Sequence, residues 1–191
     1  HLWNTGFQLG DWLDPSAPPQ DPADAKTDRY LVATAYFAWS TQHLALSAAV
    51  LGRTDEAEHY GTLAAQIREA FAAEYLLADG RLTSDAQTAY ALAISFDLIP
   101  DAERRQAAGR RLAELVAEAD NRIAAGFAGV NLISDALTAT GQNDAAYDLL
   151  LNEQAPGWLY AVTMGATTVW ERWDAMLPDG TVHPGTMTSF N

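Results

Sequence analysis

The 191 residues are enough for one ordinary domain with a real hydrophobic core. Eleven Lys and Arg against 25 Asp and Glu leave a formal charge of −14, which argues against binding to nucleic acid or to an anionic membrane surface. There is no cysteine, so disulfides, thiolate zinc sites and cysteine nucleophiles are excluded. Alanine, the best helix former, supplies 37 positions, and the expected class is all-α. No apolar run approaches the ~20 residues of a membrane span. No signal peptide is visible, and the start at His1 in place of Met suggests a piece of something longer.

Residues 1–26 read as a loop, because Asp14-Pro15-Ser16-Ala17-Pro18-Pro19-Gln20-Asp21-Pro22 is too rich in proline for a helix. That loop also holds Trp3, Phe7 and Trp12, more aromatic surface than a solvated linker carries. Residues 27–155 read as helical hairpins. The first helix starts at Thr27 or Asp28 and closes before Gly52; the second spans about Asp55 to Leu77. A third runs from about Ser84 to Leu98, and a fourth from Asp101 to Ala119 with Arg104, Arg105, Arg110, Arg111 and Glu114 outward. The fifth and sixth span about Val130 to Thr140 and Asp144 to Asn152. Two turns share the pattern G-x-x-D-x-A, at Gly52 and Gly141, where each glycine can close one helix and each aspartate can favour the next. Stacked hairpins of this kind build a bundle, a solenoid or an α/α barrel, and periodicity does not choose among them.

Two clusters carry candidate chemistry. In Phe7-Gln8-Leu9-Gly10-Asp11-Trp12-Leu13-Asp14, the Trp12 indole could stack on a sugar ring while Asp11 accepts hydroxyl hydrogen bonds; an equally simple role is loop anchor and turn residue. In residues 156–191, Glu171 stands between Trp170 and Trp173, with Trp158 and Tyr160 upstream. A glutamate in an aromatic, partly dry site has its ionised form disfavoured, which suits acid–base work; pairing with Arg172 or exposure to solvent is the alternative. His1, His43, His59 and His183 lack metal-ligand spacing, no EF-hand pattern occurs, and no metal or cofactor is expected. His183 reads as a turn residue.

Gly165-Ala166-Thr167-Thr168-Val169-Trp170-Glu171-Arg172-Trp173, preceded by Trp158-Leu159-Tyr160 and followed by Ser189-Phe190-Asn191, resembles the catalytic region of bacterial α-L-rhamnosidases of glycoside hydrolase family 78. Gly10-Asp11-Trp12-Leu13 is similar to a second block of that family, and Gly126-Phe127-Ala128-Gly129, Leu149-Leu150 and Pro156 fit the connecting pattern. The resemblance extends over essentially the whole chain. It implies about half of an (α/α)6 barrel, inverting hydrolysis of a terminal rhamnoside, Glu171 as general base, and Asp11 and Trp12 in a sugar-binding loop. Trp158, Tyr160 and Trp173 become candidates for the pocket wall.

The chain departs from the family in lacking the acid-bearing block of the type D-C-P-x-R-x-E-R-x-G-W, and it stops before the histidine that follows Ser-Phe-Asn. The expectation is therefore an incomplete catalytic domain, inactive alone, whose inner helices need missing segments or a second chain to cover them. The competing readings are another α/α-barrel carbohydrate enzyme, either an exo-glycosidase or a glycan lyase, and a helical-repeat interaction module.

Overall fold

The computed structural model describes residues 1–18, 20–185 and 187–190. Its helices are α1 (Arg29–Val50), α2 (Thr54–Tyr75), α3 (Gln87–Ser95), α4 (Ala102–Glu118), α5 (Ile133–Ala139), α6 (Asn143–Leu151) and α7 (Trp158–Thr163). A 3-10 turn, Val130–Leu132, leads into α5. Among the described residues extended pairing is limited to two isolated bridges, Leu76 with Leu82 and Met176 with Val182. The all-α expectation is met.

Caps and glycines set the hairpins. Asp28 caps α1 by accepting from the backbone N–H groups of Tyr30 and Leu31 at 2.7 and 2.8 Å, and Asp101 caps α4 by accepting from Arg104 N–H at 2.8 Å. Gly52 and Gly141 take φ of +72° and +75°, the left-handed conformation that reverses the chain after α1 and α5. The helices pair as α1 with α2, α3 with α4 and α5 with α6, while α3 also packs on α5. Every residue of α3 from Gln87 to Ile94 is buried, whereas α4 buries only one stripe including Ala108, Leu112 and Val116. An apolar inner helix followed by an amphipathic outer one is the layering that part of an (α/α)6 barrel requires.

Two boundaries and one side chain depart from the sequence-based expectation, each for a local reason. Helix α2 stops at Tyr75 because Leu76 extends to bridge Leu82. Helix α3 begins at Gln87, not Ser84, because residues before it are engaged elsewhere: Ser84 Oγ accepts from Asp28 N–H at 3.0 Å, and Asp85 binds Arg111. Arg111 itself does not face open solvent. It is held at 2.8 Å from Asp85, 2.7 Å from Glu118 and 3.0 Å from Glu114, tying α4 to the loop before α3. The arginine's hydrogen bonds hold the Asp85 carboxyl below the usual carboxylate range.

Buried Gln87 ties a further loop to this frame. Its amide donates to the carbonyls of Leu115 and Arg122 and accepts from Ala124 N–H, so both ends of the side chain are satisfied. The loop 120–129 is thereby suspended beside the N-terminus of α3. The amino ends of α1, α3 and α7 and the loop before α5 share this side of the domain, and the functional candidates gather there.

Candidate active site

The loop 1–26 is anchored at Asp11. Its carboxylate is fully buried and accepts three hydrogen bonds: from the Thr88 hydroxyl at 2.6 Å and from the backbone N–H groups of Gly126 and Ala128 at 2.9 and 3.1 Å. The backbone joins the same knot, for the Trp12 carbonyl accepts from Phe127 N–H at 2.9 Å. Gly126 is required by packing: a Cβ there would stand 2.4 Å from the carbonyl oxygens of both Asp11 and Trp12. Tyr36 of α1 closes the far side by donating its hydroxyl to the Ala128 carbonyl at 2.9 Å.

Burial disfavours the ionised carboxylate, and the nearby Asp14 charge adds to the effect. The donors only partly offset it, and the Asp11 pKa is pushed up to about 6. Both Asp11 oxygens face protein donors. Thr88 is not among the residues the sequence singles out, and Ala128 enters there only as part of the connecting pattern; the available signal is a threonine in a largely apolar helix.

The second cluster returns to the same end of the domain. Trp158 lies in the first turn of α7 and meets Trp173 edge-to-face with ring centroids 4.8 Å apart. Both rings pack partly buried against the main core. Tyr160 is buried with Trp170 and Ala175 in a smaller cluster, and its hydroxyl donates to the Met176 carbonyl at 2.7 Å. Its polar end is thus committed to the protein, and the residue supports the wall from behind.

Glu171 is partly exposed and clamped by the returning chain. Its backbone N–H donates to the Ser189 carbonyl at 3.0 Å, and its Oε2 accepts from Ser189 N–H at 3.2 Å. Phe190 fixes the same strand-like segment by meeting Trp170 edge-to-face at 5.4 Å. The last residue of the Ser189-Phe190-Asn191 motif lies outside the described residues, as does Pro19 of the proline-rich loop.

The two clusters meet at Trp173 and at the residues that follow Trp12 and Glu171 in the chain. A cavity of about 320 Å³ is walled by Leu13, Asp14 and Pro15 on one side and by Arg172, Trp173 and Asp174 on the other. A second, more apolar groove of about 420 Å³ is lined by Trp158, Trp170 and Trp173. Trp173 lines both. The segments of Asp11 and Glu171 therefore approach each other, with Arg172, Trp173 and Asp174 at their junction, but neither carboxylate lines the shared cavity. Among the described residues no cluster of three or more His, Asp or Glu is arranged to hold a metal ion.

Comparison with known proteins agrees with this architecture. The bacterial alpha-L-rhamnosidase 6 hairpin glycosidase domain matches residues 1–191. An alpha-L-rhamnosidase of Streptomyces avermitilis is 41% identical over 182 residues, covering 95% of this chain and 17% of that protein. One from Formosa agariphila is 37% identical, covering 96% of this chain and 20% of that protein. The crystal structure of a native α-L-rhamnosidase from Aspergillus terreus superposes with a TM-score of 0.94 at 43% identity, over the whole of this chain and 22% of that one. The Streptomyces avermitilis enzyme complexed with L-rhamnose gives a TM-score of 0.82 at 40% identity, over 96% of this chain and 17% of that one. The chain thus spans about a fifth of the length of these relatives. With the hairpin layering and the residues of both clusters, these matches make the chain a member of the bacterial α-L-rhamnosidase six-hairpin glycosidase family.

Proposed function

We propose that the chain supplies the general-base half of an inverting α-L-rhamnosidase site that releases terminal α-L-rhamnosyl residues from glycosides. The carrying observation is the clamp on Glu171: one carboxylate oxygen is oriented by Ser189 N–H while the side chain remains partly open to solvent. A base needs such a fixed oxygen within hydrogen-bond reach of water. An L-rhamnose-bound relative with the same fold supports the choice of sugar.

In this reading Glu171 takes a proton from water as that water attacks the anomeric carbon, and an acid protonates the departing oxygen from the opposite face. Inverting enzymes hold the two carboxyls about 6.5–9.5 Å apart to admit the water. The acid comes from the block this chain lacks, so the chain alone is inactive. Trp12, Trp158 and Trp173 supply aromatic faces for the sugar, Tyr160 supports them, and Asp11 positions Trp12 through its knot with the loop at Gly126. Further barrel segments or a second chain cover the exposed apolar residues of α1, among them Leu46 and Val50.

The test is Glu171→Gln in a polypeptide that joins this chain to the acid-bearing block, assayed on an aryl α-L-rhamnoside. The expected loss of kcat is roughly 10²–10⁴-fold with folding intact. Wild-type turnover by that variant would remove the base assignment.

A further inference from the structure

Glu171 is followed directly by Arg172, and Arg172 is tied through Asp174 to a corner of the chain at His183 and Gly185. His183 N–H donates to the Ala175 carbonyl at 2.9 Å, and Gly185 N–H donates to His183 Nδ1, also at 2.9 Å. Because Nδ1 accepts, the neutral ring carries its proton on Nε2. That nitrogen lies 3.4 Å from Asp174 Oδ2, while Asp174 Oδ1 accepts from Arg172 Nε at 2.7 Å. The corner is also tightly packed: a Cβ on Gly185 would stand 2.9 Å from the His183 ring and 3.2 Å from Arg172 Nη1.

Asp174 therefore links the residue next to Glu171 with that corner. Arg172 follows Glu171 directly, so a shift at His183 or Asp174 is passed through Arg172 to the backbone that carries the Glu171 carboxylate.

We infer that Arg172, Asp174 and His183 form a positioning network for Glu171, with His183 acting through Asp174 and Arg172 to fix the direction in which the carboxylate faces its water. The inference rests on the base reading given above. None of the three residues touches the reacting atoms in this scheme. Misplacing a reacting group by about 1 Å costs on the order of 10²-fold in rate, which sets the scale of the effect.

The test uses the polypeptide that joins this chain to the acid-bearing block, with His183→Asn, His183→Gln, Asp174→Asn and Glu171→Gln. Asn at 183 keeps an acceptor for Gly185 but cannot reach Asp174; Gln places a donor near the position of Nε2. Asn at 174 keeps an acceptor for Arg172 but turns a donor toward His183. The inference expects H183N and D174N to lower kcat roughly ten- to hundred-fold with KM within about twofold. It further expects H183Q to recover most of the rate, and H183N to add nothing in the E171Q background.

Wild-type kcat in both H183N and D174N, or a further loss when H183N is added to E171Q, would overturn it. So would H183Q performing no better than H183N. A fully active E171Q variant is a separate result: it removes the base reading itself, and the positioning network with it.

Discussion

Replacing Asp11 by Asn turns the buried knot into a measurable pH dependence. In the fold the Asp11 pKa is about 6 against an ordinary 3.8, so the native state disfavours the charged form. A raised native value means that this group's stabilisation is complete below about pH 4, fades between pH 4 and 6, and is gone above the native pKa. The gap corresponds to about 3 kcal/mol. Asn is neutral throughout and loses this dependence, but its amide donor must face one of the three donors around it, at a cost of about 1–3 kcal/mol. At pH 7.5 the two effects nearly cancel and the variant is close to wild type. At pH 4 wild type is the more stable, by an amount that has grown by about 2.4 kcal/mol, most of the full gap. Urea unfolding of both proteins, followed by tryptophan fluorescence from pH 4 to 7.5, measures the difference and cancels the other carboxylates they share. A difference that stays flat across this range would refute the assignment of a desolvated, ionisable Asp11. A ¹³C-carboxyl titration gives the same answer at the residue itself.

Two further predictions concern packing and charge. Gly126→Ala forces a methyl group against two backbone carbonyls at 2.4 Å; calorimetry is expected to show a loss of about 1–3 kcal/mol, with faster hydrogen exchange at Phe127 and Ala128. Arg111→Lys keeps the charge but loses the fork that reaches Asp85, Glu114 and Glu118 together; chemical denaturation at low salt is expected to show a loss of about 1 kcal/mol, shrinking in 1 M NaCl.

The helical frame was legible because its signals are local. Alanine content, caps at Asp28 and Asp101, and the glycine turns at 52 and 141 each act within a few residues of where they stand. Glu171 and its tryptophans were legible as a dense motif. The role of Asp11 was not, since its three donors lie 77, 115 and 117 residues away and only folding brings them together. The same holds for Arg111, whose helical periodicity points outward but whose long side chain reaches back to Asp85. His183 reads as a turn residue in the sequence, whereas the structure places it just past the Met176–Val182 bridge, and its link to Asp174 depends on a ring nitrogen whose partner sequence spacing does not reveal.

The two isolated bridges belong to one repeated device. In each, a leucine N–H donates to a carbonyl four residues on, an Asp-Gly pair makes the bend, and the aspartate side chain accepts from the second N–H after it: Leu77 to Arg81 through Asp79, and Leu177 to Thr181 through Asp179. After the first copy the chain reaches Ser84, which fastens the start of α1; after the second it reaches His183 and the corner beside Glu171. The bend is thus a standard connector and the residues just beyond it are the cargo. Exchanging the two bends should leave both deliveries in register, whereas adding one residue to either should misaddress everything downstream.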